Sequence, residues 1–160
     1  MFEAVASKTF SIPEALRRAR IHSNAGEADE AERLCRYVLA AWPGQADALH
    51  LLGLLASARG NLDLAIDLLR RACLPPRAPA VYSSNLAELY RRRGLLADAE
   101  AAARRAVAMD PNLGRGWNSL AMVLQAAGKL EESRACLERA SALKLNWAEA
   151  RSTMPTCRTS

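Results

Sequence analysis

The stretch Leu49-His50-Leu51-Leu52-Gly53-Leu54-Leu55-Ala56-Ser57-Ala58-Arg59-Gly60-Asn61-Leu62-Asp63-Leu64-Ala65 holds the plan of the molecule in miniature. Apolar and small residues recur at spacings of three and four up to Ala58, then resume after Asn61, which is the signature of two helix faces. Gly60 lies between them, where the chain must turn and a left-handed backbone is cheap only for glycine. Moving outward in either direction, the same glycine returns: Gly26, Gly60, Gly94 and Gly128 are each 34 residues apart.

Other columns keep the same step. Seven residues before the glycine stand Ala19, Gly53, Ala87 and Ala121; five after it stand Ala31, Ala65, Ala99 and Ser133. All are small, which lets two helices approach closely and pack ridge into groove. Eight before stand Arg18, Leu52, Leu86 and Leu120, and nine after stand Cys35, Leu69, Ala103 and Leu137. Pro43 and Pro111 close the second helix of the first and third units, while Pro75, Pro76 and Pro79 do so out of column in the second. Ser11-Ile12-Pro13-Glu14 reads as a capping box opening the first helix.

The expected fold is therefore all-α, with helices near 12–24, 28–41, 46–58, 62–73, 80–92, 96–108, 114–126 and 130–143. Four units follow, 12–45, 46–79, 80–113 and 114–147, after a leader of residues 1–11. No helix pair of this size buries its apolar face alone, so the pairs stack into a row. After Trp147, Ala148-Glu149-Ala150-Arg151 reads as the start of a fifth unit that Pro155 derails, and 148–160 is expected to be an aborted repeat with a disordered tail. No polar closing helix is visible, so self-association through this uncapped end is one expectation, and a reading frame cut short is another.

Composition narrows the functional classes. The chain has 160 residues, 51% of them hydrophobic, and a net charge of +5 carried by arginines scattered along its length. Basic residues are not interleaved with aromatics, so nucleic acid is not an expected partner. No apolar run approaches the roughly 20 residues of a membrane span, so neither is a membrane. Cys35, Cys73, Cys136 and Cys157 form no metal-ligand spacing, and the first three fall inside helices, as in a reducing, cytoplasmic protein. His22 and His50 lack acidic companions at ligand spacing, so no metal is expected. There is no phosphate loop, GxSxG or HExxH, so the chain is expected to be no enzyme and to need no cofactor. Trp117 reads as a packing anchor, and Arg91-Arg92-Arg93 as cations at a helix C-terminus.

The 34-residue period, the Leu-small pairs Leu52-Gly53 and Leu120-Ala121, and the Ala-to-Pro second halves resemble the tetratricopeptide repeat family, over residues 12–147. Arg18 and His22 depart from that pattern in the first unit, as suits a water-facing first helix. The resemblance implies an α-solenoid, a right-handed superhelical array whose concave groove is lined by the first helix of each unit and holds a peptide or a helix of a partner protein. Carried onto this chain, the groove falls on His50, Leu54, Ser84, Asn85, Glu88, Arg91, Asn118, Met122 and Gln125. Asn85 and Asn118 resemble the asparagine ladder of repeats of the O-linked N-acetylglucosamine transferase type, in which amides pair with an extended chain. The carboxylate clamp of co-chaperones does not fit: its basic and Asn positions hold Leu16, His50, Ser84, Asn118 and then Arg20, Leu54, Glu88, Met122. The function implied is a non-catalytic protein-interaction scaffold. The alternative is the substrate-recruiting front piece of a protein- or glycan-modifying transferase, resembling the arrays that precede bacterial transferase domains.

Overall fold

The computed structural model describes residues 10–153, with side chains through Lys144. The leader through residue 9 and the tail from residue 154, with Pro155 and Cys157, lie outside the described residues. Eight helices are described: α1 Ile12–Asn24, α2 Ala28–Ala41, α3 Ala46–Ala58, α4 Leu62–Ala72, α5 Ala80–Arg93, α6 Leu96–Met109, α7 Gly114–Ala126 and α8 Leu130–Thr153. The first seven match the spacing-based boundaries to within a residue. The eighth does not: α8 runs unbroken through the positions read as a fifth unit, because nothing between Leu143 and Thr153 supplies the proline that ends α2 and α6.

The four glycines sit at the bends, with φ of 78° to 82°. One hydrogen bond repeats at every bend. The N–H one residue past the glycine donates to the carbonyl four before it: Glu27 to His22, Asn61 to Ala56, Leu95 to Tyr90 and Lys129 to Leu124, at 2.8–3.0 Å. This is the six-to-one bond that closes a helix whose next residue is left-handed, so the period in the sequence is the period of one local turn. The pre-proline residues also repeat: Trp42 has φ −140°, ψ 89° and Asp110 has φ −141°, ψ 91°. N-caps are supplied by Ser11, Gln45 and Asn61, which accept from the N–H of Glu14, Ala48 and Leu64.

Only half of the capping box forms. Glu14 does not turn back to Ser11; its carboxylate accepts from Arg17 at 2.8 Å and Arg18 at 2.7 Å. Those bonds, Arg17 first, hold the Glu14 pKa at about 2, below the ordinary 4.5. A carboxylate depressed on folding contributes stability that is complete above about pH 4.5 and is lost as pH falls toward 2. We expect the Glu14 side-chain carbon, followed by NMR, to titrate near pH 2; a midpoint at the ordinary value would mean the arginines do not hold it.

The chain divides into two compact units, 1–75 and 76–160. In the first, Ala15, Val38 and Ala48 pack with Ile12, Leu16 and Leu39, and Ala19, Leu34 and Cys35 pack with Leu51 and Leu52 of α3. Phe10 joins both clusters, and its carbonyl accepts from Tyr37 at 2.9 Å. In the second, Leu86, Ala87, Ala103, Ala106, Leu120, Ala121 and Leu124 form the buried interior. Ser133 stands where the other units have Ala, and its hydroxyl donates to the Ala121 carbonyl at 2.8 Å, so a polar residue is accommodated at a close helix approach. Cys35, Cys73 and Cys136 are buried free thiols, and burial pushes Cys35 up to about 11.

Ion pairs link consecutive hairpins within each unit. Glu32 on α2 pairs with Arg36 and with Arg59 at the end of α3; Glu100 on α6 pairs with Arg104 and with Lys129 before α8. The two glutamates are 68 residues apart, so the device repeats every second repeat. Arg104 also reaches Glu132 at 2.7 Å. Such pairs are partly exposed, so each is worth at most about 1 kcal/mol.

Candidate functional site

The candidate site is the surface of the first helices, taken unit by unit. In the first unit it consists of α3, where His50 is half-buried and Leu54 is exposed. In the second unit α5 and α7 lie side by side, joined by the hydroxyls of Ser84 and Ser119 at 2.7 Å. On α5, Glu88 and Arg91 form a bidentate pair, at 2.8 and 2.7 Å, in which Arg91 is held more firmly protonated by the Glu88 carboxylate. On α7, Asn118, Met122 and Gln125 fall at spacings of four and three, hence on one face. Met122 is 45% exposed, a long apolar side chain between two amides.

Two of the residues expected to line a groove are buried. Ser84 is 1% exposed and Asn85 8% exposed. The Ser84 hydroxyl is spent on Ser119, in the seam where α7 packs on α5. Among the described residues no buried side-chain nitrogen or oxygen lacks a partner, so Asn85 has no idle buried amide to offer a ligand. Asn118 is therefore the more open of the two asparagines, and Gln125 is a second amide on its face. Exposure of Met122 and Leu54, which share one column 68 residues apart, was legible only as a position, since neither neighbour nor burial is written in the period.

The remaining sequence candidates settle into structural roles. The Trp117 indole N–H donates to the Pro111 carbonyl at 2.8 Å and Arg139 lies over its ring at 5.4 Å, so it anchors the loop between α6 and α7. Arg92 and Arg93 are exposed in the last turn of α5. His22 pairs with Glu27 across the first bend. No group of three or more His, Cys, Asp or Glu able to hold a metal occurs among the described residues, nor is any described helix long and apolar enough to cross a membrane.

Each unit also has a cleft on its second-helix side. One, of about 450 Å³, is lined by Arg36, Leu52, Arg59, Leu64 and Leu68; the other, of about 560 Å³, by Arg104, Trp117, Leu120, Cys136 and Arg139. Arg36 and Arg59 are engaged with Glu32, Arg104 with Glu100 and Glu132, and Asn61, which also lines the first cleft, accepts from the Leu64 N–H as an N-cap, so these polar groups already serve the fold.

Helix hairpins of this length, with a left-handed glycine every 34 residues, match two family models described as tetratricopeptide repeat, one over residues 16–81 and one over 80–109 and 118–144. The chain belongs to the tetratricopeptide repeat family. Among proteins with similar tetratricopeptide sequence is the Protein O-mannosyl-transferase TMTC1 of Homo sapiens, 28% identical over 126 residues, which are 76% of this chain and 14% of that one. Of solved structures, the crystal structure of MamA superposes with a TM-score of 0.77 at 19% identity, covering 87% of this chain and 81% of its own, a likeness of fold alone. A mutant of the Thermobaculum terrenum O-GlcNAc transferase superposes with a TM-score of 0.67 at 33% identity, covering 71% of this chain and 22% of that one. The tetratricopeptide chain therefore spans only a minor part of both transferases.

Proposed function

We propose that the chain is a non-catalytic scaffold that binds a peptide or helix of another protein on its first-helix surfaces. The observation that carries this reading is Met122. A long, polarizable apolar side chain, nearly half exposed, stands between Asn118 and Gln125, and α5 beside it carries the Glu88–Arg91 pair. An apolar anchor flanked by amides suits an extended peptide: the amides meet its backbone groups and the thioether meets one apolar side chain. Leu54, with His50 one turn before it, is the matching anchor in the first unit. The three buried free thiols favour a reducing, cytoplasmic setting.

Peptides selected from a displayed random library should bind at least about tenfold more weakly to Met122→Glu, because an anchor at the centre of a small interface carries most of the binding energy. Leu64→Glu, on the second-helix side, should leave binding unchanged. Selected peptides that ignore Met122→Glu and Leu54→Glu but respond to Leu64→Glu would move the site to the other face.

A second reading is favoured by the transferase matches: the repeats recruit substrate for a protein- or glycan-modifying enzyme. It predicts that the coding region following the Ser160 codon, in some frame, encodes a transferase domain; its absence there would leave the scaffold reading alone.

A further inference from the structure

We propose that α8 pairs antiparallel with the α8 of a second copy, about a two-fold axis passing beside Leu137. The first observation is a column. Nine residues after the repeat glycine, Cys35, Leu69 and Ala103 are all 0% exposed, whereas Leu137 is 47% exposed, and Leu130 two turns earlier is more open still. In the first unit that column position is covered by Leu51 and Leu52 of the next first helix. Among the described residues nothing turns back over α8, which instead continues as one helix of 24 residues, about 36 Å long.

The charges select the occupant. Six residues after the glycine, Glu32 and Glu100 receive the cations Arg59 and Lys129 of the following hairpin. In the second repeat that position is Ile66 and in α8 it is Arg134, so α8 lacks the acid with which Glu32 and Glu100 receive the next hairpin. The head of a second copy fits no better, because α1 offers Arg17 and Arg18 locked to Glu14 where Leu51 and Leu52 stand in α3. A second α8 does fit. On a helical wheel, the buried stripe Ser133, Cys136 and Ala140 lies on one flank of Leu137, and Arg134 and Glu138 lie on the other. A two-fold that sets Leu137 against its counterpart keeps that flank on the same side of both helices. It brings Arg134 of each copy to within about 3 Å, along the axis, of Glu138 of the other. The patch is self-complementary, as an isologous interface requires. The pair already meets within one chain at 3.4 Å with side chains 76% and 71% exposed, so both groups are available for exchange.

The test is sedimentation of the full chain from about 1 µM to 1 mM, a range that spans transient to stable dimers. We expect a monomer–dimer equilibrium that Leu137→Glu weakens at least about tenfold. Arg134→Glu and Glu138→Arg should each weaken it, and the double swap should restore it, because the reciprocal pair is then rebuilt with its signs exchanged. Far-UV circular dichroism verifies that each variant remains helical. A chain monomeric throughout, a dimer indifferent to Leu137→Glu, or a double swap no better than its single parents would each overturn the proposal.

Discussion

Gly53→Ala is expected to destabilise the protein by about 1 kcal/mol, and to stabilise it by about the same amount once Leu69 has been cut to Ala. A methyl at Gly53 would lie 2.1 Å from the Leu69 side chain and 3.3 Å from the Ala65 carbonyl oxygen. Leu69 is 0% exposed and has nowhere to retreat. Overpacking of that kind costs about 1–3 kcal/mol, against about 1 kcal/mol gained by replacing a mid-helix glycine. Leu69→Ala alone opens a cavity and should cost about 3 kcal/mol. In that background the Gly53 methyl fills space and keeps its helix-propensity gain, so the sign reverses. The other repeats hold different pairs at these positions: Ala19 packs in one cluster with the smaller Cys35, and the equivalent residues of the third repeat are Ala87 and Ala103. In the fourth repeat Ala121 coexists with a leucine at the equivalent position because Leu137 is turned toward water. Urea unfolding of the four proteins in the cycle checks this. Gly53→Ala with one sign in both backgrounds would show that the two residues do not share the space.

Gly94→Val should cost about 2 kcal/mol or more, although a side chain there meets nothing within 4 Å. The reason is φ of +82°, where a side chain's Cβ crowds the backbone and a β-branched residue suffers most. The loss also threatens the Leu95-to-Tyr90 bond of 2.9 Å that closes α5. Gly94→Asn should cost clearly less, since asparagine tolerates the left-handed region. Gly114→Ala is the control: its surroundings are equally open and its φ is not positive, so it should be neutral or stabilising by up to about 1 kcal/mol. Equal losses at the two glycines in thermal unfolding would indicate that space, not backbone geometry, sets the outcome.

These two sites show what each level of structure controls. Gly94 belongs to a local rule: a left-handed residue and a hydrogen bond spanning five residues need only the neighbouring chain. That is why the bends, and seven of the eight helices, were legible from a 34-residue spacing. Gly53 belongs half to each level, since its smallness was visible but its reason, Leu69 on the facing helix, was not. The candidate site belongs mostly to the second level. Position in the repeat placed Met122, Asn118, Gln125 and the Glu88–Arg91 pair on first helices, and the structure leaves them accessible.

The amino-acid sequence by itself determined the all-α hairpin repeat, because the hydrogen bonds that make helices and tight turns join residues close in the chain. The tertiary structure alone decided that Ser84 and Asn85 are withdrawn from solvent while Leu137 is left in it. Those outcomes depend on which helix lies against which, and on the register of side chains from residues dozens of positions away, as with Ser119 on Ser84. A repeating pattern assigns every copy the same role; the packing of each copy's neighbour then confirms it or takes it away.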